Sequence, residues 1–578
     1  MRGKTHLTGY ASVDRPWMKY YSENAQHIEP PKLSMYEYVK QCNEDRPEGR
    51  AIEYFNWKIT IKEFFQKIDH VSAGFAALGV KAKDIVTLAI PNIPENVLAV
   101  YALNRIGAIS NLIDLRLSGA ELEKYFNEVR SDVIIVSDVF LQNTLEILKN
   151  ISAKTVIVAS PYAHLPKLVA KILKMKDKVK IPKDIPGLMT WEEFENKTYE
   201  PVPVYHSETV QTDVASIMHT SGTTGASKGV MLTNNSFNVL AQETYYIYGD
   251  GFFKEDSRMM NQVPPFLAYN VSLSMHSPLC QRVSLVLLPD YRPDKFAANL
   301  FKYKPNHVAA GPADWMNFVE SPVPKGRDYG FLYTAISGSD SIRYENKVEI
   351  NKVLSDHGSR SGIIEGYGMT ECGCAVTTNR YGVDKKDTVG IPFPTLTVCI
   401  YDNENDCELP YGEKGEICVA GPRLMNGYFE RPEDTAESLR YHADGRLWMH
   451  TGDLGAIDED GYVYIEGRLK RIIIQHNGMK INPFEIETVI AEVPQVQSCC
   501  VVGQPDEEHG SGQRPVAYFV LNPEHDLSEE EVMTAVKTQC EKKLTARYQP
   551  QEFHILDALP LTPNGKVDYQ SLEKIEAE

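Results

Sequence analysis

Between Thr60 and Val158 the chain repeats one alternation of apolar patterns, and nothing else in its 578 residues limits the fold as much. Thr60 and Glu63 form a T-x-x-E capping box. Ile61, Phe64, Phe65, Ile68, Val71, Phe75 and Leu78 follow at helical spacing, and Gly79 ends the helix. A buried-strand run at 85–90 comes next, then a helical pattern at 94–106 closed by Gly107, then an apolar stretch at 108–113. The runs at 133–136 and 156–158 continue the rhythm. Strand, helix and strand in that order predict βαβ units and a parallel sheet.

The texture changes twice further on. After about residue 395, short strands at 396–401, 415–420 and 461–466 alternate with turns. After Gly467-Arg468, a helical pattern at 483–493, strand patterns at 496–503 and 515–521 and a helical pattern at 528–544 make a compact unit of ordinary domain size. The predicted class is therefore α/β. Residues 1–469 form a large N-terminal domain of parallel-rich sheets, with a β-rich subdomain at about 395–469, and residues 470–578 form a small α+β domain. The first 40 residues read as a lead-in.

Charge and cysteine content narrow the function. Lys and Arg number 60 against 78 Asp and Glu, a net charge of −18. Phosphate affinity in nucleic-acid binders comes from clustered Lys and Arg, so no nucleic-acid partner is expected. Ten cysteines, with no C-x-x-C pair and no histidine at zinc-like spacing, read as free, reduced and mostly buried. No apolar run reaches about 18 residues and the N-terminus has no apolar core, so a cytoplasmic chain without spans or signal peptide is expected.

Residues 161–187 break the rhythm. Leu165, Leu168, Val169, Ile172 and Leu173 fall on one helical face, with Lys167, Lys171, Lys174 and Lys178 opposite. Such a basic amphipathic helix can lie on anionic membrane surfaces. The commoner fate of such a stripe is to pack on its own domain.

The stretch Thr220-Ser221-Gly222-Thr223-Thr224-Gly225-Ala226-Ser227-Lys228-Gly229 follows the apolar run 214–218. Its glycines allow tight turns and close backbone approach, and its hydroxyls and lysine supply donors for phosphate oxygens. It does not fit the Walker pattern. It resembles the signature loop of the adenylate-forming enzymes: acyl-CoA synthetases, luciferases and nonribosomal peptide synthetase adenylation domains. The resemblance runs from about residue 35 to 575 and is strongest toward fatty acyl-CoA ligases.

That resemblance implies the site. The loop, with Thr223 and Lys228 in catalytic roles, would hold the β- and γ-phosphates of ATP. Glu365-Gly366-Tyr367-Gly368-Met369-Thr370-Glu371 resembles the adenine and metal motif. It implies Tyr367 against adenine, Thr370 on the α-phosphate and Glu371 on Mg²⁺. Thr451-Gly452-Asp453 resembles the ribose motif, with Arg468 on the same ribose or the phosphate. Ser339, Asp340 and Ser341 occupy the place of a small-residue adenine contact, though their sequence departs from the family's form. Lys470 falls at the hinge about which the C-terminal domain swings. Lys566, in Pro563-Asn564-Gly565-Lys566, matches the catalytic lysine, and Gly478, Met479 and Lys480 match the segment that meets CoA. Cys372 and Cys374 read as wall residues.

The implied chemistry is attack of a carboxylate on the α-phosphorus of ATP with loss of pyrophosphate, then thiol attack on the acyl-adenylate. Phe266, Leu267 and Asn270 match the acyl-pocket entrance, and Ala309, Ala310, Gly311, Gly338 and Gly366 would leave room for a chain. Leu267 stands where many aryl and acyl ligases carry a histidine. Asn270 stands where amino-acid-activating domains carry an aspartate, which speaks against an α-ammonium group. A medium- to long-chain fatty acid is the first expectation and an aromatic acid the second. CoA is the expected acceptor, with a separate acyl carrier protein as the alternative. A luciferase-like oxidase and a nucleotide sensor are the readings from other classes.

Overall fold

The computed structural model describes residues 7–177, 179–182, 185–220, 227–248, 254, 256–340, 342–379, 385–523, 525, 527–561 and 567–575. The expected helix is Ile61–Ala77, and both halves of its capping box are made by Thr60 and Glu63. Its stripe of Ile61, Phe64, Ile68, Val71 and Phe75 is buried.

Two seven-stranded sheets dominate. One runs, in order, Leu188–Thr190, Thr155–Ala159, Val133–Ser137, Ile85–Ala89, Ile109–Leu112, Val214–His219 and Gly229–Thr233. All its neighbours are parallel except the last pair. The other runs Ile363–Glu365, Thr334–Ser337, His307–Ala310, Arg258–Asn261, Ser284–Leu287, Arg50–Tyr54 and Trp57–Thr60, again parallel but for the last pair. Strands covered on both faces read as continuous apolar runs, which is why the sequence showed them so clearly.

A six-stranded antiparallel sheet follows, centred on Gly415–Ala420 and Leu447–Ile457. Beyond a 3₁₀ turn at Leu469–Arg471, the C-terminal unit folds three strands, Val496–Pro505, Gln513–Leu521 and Glu552–Ile555, with helices Pro483–Ala491 and Glu529–Lys543. The fold is thus the expected α/β class with a large N-terminal and a smaller C-terminal domain.

Two expectations are corrected. Residues 7–41 are not a lead-in: Trp17, Met35 and Tyr36 are buried in the main core, and Tyr21 Oη donates to the Pro392 carbonyl at 2.7 Å. Short helices held by scattered aromatics carry no long period, so the sequence pattern missed them. The helix Lys167–Lys176 does not pack its apolar stripe on the domain either; none of its residues is buried. The ten cysteines are free, and half of them are buried.

Candidate active site

In parallel sheets, ligands gather beyond the carboxyl ends of the strands. Here four such ends carry the predicted residues. Val214–His219 leads into the phosphate loop, His307–Ala310 into Gly311, Thr334–Ser337 into Gly338 and Ser339, and Ile363–Glu365 into Gly366 and Tyr367. Ser221, Gly222, Thr223, Thr224 and Gly225, with Ser341 and Lys566, lie outside the described residues. The loop's base is described: the Thr220 amide donates to the Lys228 carbonyl at 3.1 Å. His219, just before it, donates through Nε2–H to Asn111 Oδ1 at 2.8 Å, and burial lowers its pKa to about 4.

Three predicted residues meet directly. Tyr367 Oη donates to Asp453 Oδ2 at 2.5 Å, and Arg468 Nε lies 2.7 Å from Asp453 Oδ1. The meeting follows from register, because Asp453 and Arg468 are paired across adjacent antiparallel strands. Burial, then the Asp453 carboxylate, pushes the Tyr367 phenol well up. Both oxygens of the aspartate are thus engaged by groups fixed on neighbouring elements. Arg468 also reaches the Thr451 carbonyl at 3.4 Å.

Glu371 is buried beside this trio, and burial raises its pKa. Arg468 attracts it, but that guanidinium is ion-paired to Asp453. Tyr428 Oη donates to Glu371 Oε1 at 2.9 Å. Tyr428 also lies under Lys228, whose ammonium is 4.9 Å from the ring centroid and ion-paired to Asp434. Sequence reasoning missed Tyr428 and Asp434. The signal is topological: the segment around Tyr428 pairs with the strand that leaves the loop, through a Val230–Tyr428 bridge. One buried carboxylate fits Mg²⁺, which on nucleotides takes one or two carboxylates plus phosphate oxygens.

The glycines of the adenine motif answer to close approach. A Cβ on Gly366 would stand 2.6 Å from the Thr377 carbonyl oxygen, and one on Gly368 1.8 Å from that of Cys374. Gly366 is thus small because a neighbouring backbone crosses it. Glu365 is tied to buried Lys347 at 2.5 Å. Ser339 holds a left-handed φ of 77° beside Asp340. Burial pushes both Cys372 and Cys374 thiols up, the latter to about 12, which fits wall residues and not nucleophiles.

At the expected acyl entrance, Phe266 is buried and Leu267 is half-buried. Asn270 opens a π-helix, Asn270–His276, and is fully buried. Its Nδ2 donates to Asn261 Oδ1 at 2.9 Å and to the Val263 carbonyl at 2.5 Å. Its amide thus holds the strand end and does not line an open pocket. π-Helical turns often mark functional sites. Gly338 faces the Tyr269 ring, which a Cβ would meet at 3.3 Å, and Tyr269 Oη donates to the Ala310 carbonyl at 3.4 Å. One turn on, Leu273 joins Met259, Val283, His307 and Ile336 around a small, mainly apolar cavity of about 20 Å³.

In the C-terminal unit, Gly478, Met479 and Lys480 are exposed, and Lys480 Nζ pairs with Glu404 at 2.5 Å. Lys470 is exposed in the 3₁₀ turn. Elsewhere in the unit, the Arg471 guanidinium lies over the Tyr569 ring at 3.9 Å.

Known families and proteins resemble the chain along most of its length. A family model described as AMP-binding enzyme matches residues 39–429, and one described as AMP-binding enzyme C-terminal domain matches 485–566. A long-chain-fatty-acid–CoA ligase of Bacillus subtilis is 28% identical over 577 residues, covering 98% of each chain. A probable 4-coumarate–CoA ligase of Dictyostelium discoideum is 28% identical over 483 residues, covering 82% of this chain and 84% of its own. Among solved structures, an ATP-bound RpMatB-BxBclM chimera aligns with a TM-score of 0.79 at 25% identity, over 93% of this chain and 98% of that one. With the match spanning most of its length and the motifs converging at the strand ends, the chain belongs to the AMP-binding enzyme family, the adenylate-forming ligases.

Proposed function

We propose that the protein is an ATP-dependent acid–CoA ligase acting on medium- to long-chain fatty acids in the cytoplasm. The observation that carries the ligase reading is the Tyr367–Asp453–Arg468 cluster beside buried Glu371, whose partner Tyr428 lies under Lys228. Asp453 would hold the ribose hydroxyls, the loop with Lys228 the phosphates, and Glu371 would hold Mg²⁺, which supplies charge neutralisation on the phosphates. The substrate carboxylate attacks the α-phosphorus and pyrophosphate departs. Lys566 would stabilise the charge that develops there.

For the second half-reaction, the segment at Gly478, Met479 and Lys480 would replace the Lys566 loop after rotation about Lys470. The CoA thiol then attacks the acyl carbonyl and AMP departs. In the present pose the segment touches the N-terminal domain through the exposed Lys480–Glu404 pair, which such a rotation would release. The boundary would then be 1–469 against 470–578.

The fatty-acid reading is supported by relatives that bear that name. An aromatic acid is the second reading, favoured by the 4-coumarate–CoA ligases among the relatives.

The test is AMP release from ATP and Mg²⁺ over C2 to C18 fatty, aromatic and amino acids, with and without CoA. CoA-dependent release peaking at one fatty chain length is expected. Release greatest with aromatic acids would overturn the fatty-acid reading. Acid-dependent pyrophosphate exchange that CoA does not pull forward would assign the acyl group to a separate carrier protein. Lys566→Ala should lower adenylation about 10²–10³-fold and spare thioester formation from supplied acyl-adenylate.

A further inference from the structure

The helix Lys167–Lys176 is mounted the wrong way round for a soluble surface. Leu168, Ile172 and Met175 fall at i, i+4 and i+7, and their exposures are 72%, 58% and 70%. Val169 beside them is 43% exposed. An ordinary surface helix turns such a stripe inward. Here a lysine turns inward: Lys174 Nζ lies 3.5 Å from Asp138 Oδ2, whose side chain is fully buried.

The mounting is firm. Just ahead of the helix, His164 stacks on Trp57 with ring centroids 4.1 Å apart and meets buried Glu95 at 3.0 Å. Tyr54 Oη donates to the Pro161 carbonyl at 2.7 Å, and Tyr162 Oη donates to Asp177 at the far end. The outward apolar face is thus held in place by the body of the protein, in a crossover between Thr155–Ala159 and Leu188–Thr190. Contiguous exposed apolar side chains on a rigid mount mark an interface.

Charge selects the occupant. Residues 161–182 carry six lysines and one aspartate, in a chain of net charge −18. Lys167, Lys171 and Lys176 are exposed around the apolar face. A basic rim around an apolar stripe matches the headgroup and acyl layers of an anionic bilayer, and each lysine near such a surface adds attraction that salt screens.

We propose that this helix is a peripheral docking surface for an anionic phospholipid bilayer, with Leu168, Ile172 and Met175 inserted below the headgroups and the lysines among the phosphates. The inference stands on the helix's mounting and does not depend on which acid the enzyme activates.

The test is co-sedimentation of the full chain with vesicles of pure phosphatidylcholine and of phosphatidylcholine with 30% phosphatidylglycerol. Binding to the anionic vesicles alone, weakened by raising salt from about 0.1 to 0.5 M, is expected. L168E/I172E should reduce the bound fraction about tenfold or more, and K167E/K171E should do so comparably. Both variants should keep the parent's melting temperature and its turnover of whichever soluble acid the panel identifies, assayed without vesicles. Failure of the parent to bind anionic vesicles would overturn the proposal. So would binding that both variants retain, or dimerisation of the parent that L168E/I172E abolishes while vesicle binding is absent.

Discussion

The floor of the candidate site and the segment at 475–480, which the proposed reaction would use in turn, are built on opposite terms. The floor is interlocked. Asp453 holds Tyr367 and Arg468, Glu371 holds Tyr428, and underneath, Arg423 and Glu243 form an ion pair at 2.8 Å with neither side chain exposed. Thr395 donates its amide and hydroxyl to Glu243, and Arg423 donates to the Cys372 carbonyl, beside Glu371. The 475–480 segment is a local turn, closed by Gln475–Met479 and Gly478–Gln475 backbone bonds, with one exposed ion pair reaching the N-terminal domain. On the proposed reading, groups that would bind a nucleotide in fixed geometry are over-determined, whereas a segment that would arrive and leave is lightly tied. Low-stability elements are where such motion is drawn from.

The largest effect that comparison predicts is at the buried pair. Arg423→Leu leaves the Glu243 carboxylate buried without its cation, and removing one partner of such a pair typically costs about 3–5 kcal/mol. Chemical denaturation should show that loss, and R423L/E243L should recover much of it, because paired apolar replacements are far better tolerated. A loss below about 1 kcal/mol for the single variant would break the claim that the floor is over-determined.

Next comes Asp453→Ala. It removes the acceptor on which Tyr367 and Arg468 converge, and loss of one preorganised polar contact typically lowers the rate about 10²–10³-fold. Acid-dependent pyrophosphate exchange measures the adenylation step directly. A loss confined to the thioester step would show that Asp453 serves the lightly tied side of the comparison.

Much of this floor was legible in the sequence, and its limits were physical. Tyr367, Glu371, Asp453 and Arg468 could be named because each sits in a short motif that carries its own chemistry. Their contacts could not, since the Tyr367–Asp453 bond spans 86 positions and depends on two sheets meeting. Tyr428 and Asp434 stand in no motif and are positioned by strand pairing alone. The same holds for a polar cluster in the β-rich subdomain. Cys418 and His450 are opposed across two strands, with Sγ 3.5 Å from Nδ1, and His442 Nε2 lies 3.0 Å from His450 Nε2. Their sequence spacing gave no hint of it. Periodicity has the same limit. Helices Ile61–Ala77 and Lys167–Lys176 show equally clear apolar stripes, and one is buried while the other is not. A period reports that a face exists. Which way it points is decided by the partner waiting for it, here the core for Phe64 and buried Asp138 for Lys174.

A smaller effect sharpens the floor side through pH. Asp314 is buried, accepting from the Gly311 amide at 2.8 Å, Gln262 Nε2 at 3.0 Å and Tyr291 Oη at 3.3 Å. Burial nevertheless raises its pKa from 3.8 to about 6. The folded state therefore binds this proton more tightly than the unfolded state. Its contribution to stability is present below about pH 4 and is lost as pH rises through about 6, an amount on the order of 2–3 kcal/mol. Asp314→Asn cannot ionise. The stability of D314N relative to the parent should rise by that order between pH 4 and 7 in denaturant titrations. A flat difference across that range would mean the three donors hold the carboxylate charged throughout.

The smallest effect tests the other side. Lys480 and Glu404 are both exposed, and such pairs typically contribute little or nothing to stability. Lys480→Gln and Glu404→Gln should leave the melting temperature unchanged, in contrast to Arg423→Leu. Their effect should appear in the balance between the two half-reactions. The pair ties the 475–480 segment to the N-terminal domain, so under the proposed alternation Glu404→Gln should leave pyrophosphate exchange within about twofold of the parent and speed or leave unchanged the single-turnover transfer of acyl-adenylate to thiol. Lys480→Gln removes the same tether together with a cation that would meet the incoming acceptor, so any slowing of transfer should be specific to it. Equal slowing by both substitutions would show that the tether itself is part of the productive pose, and that the two regions are not as differently built as their burial implies.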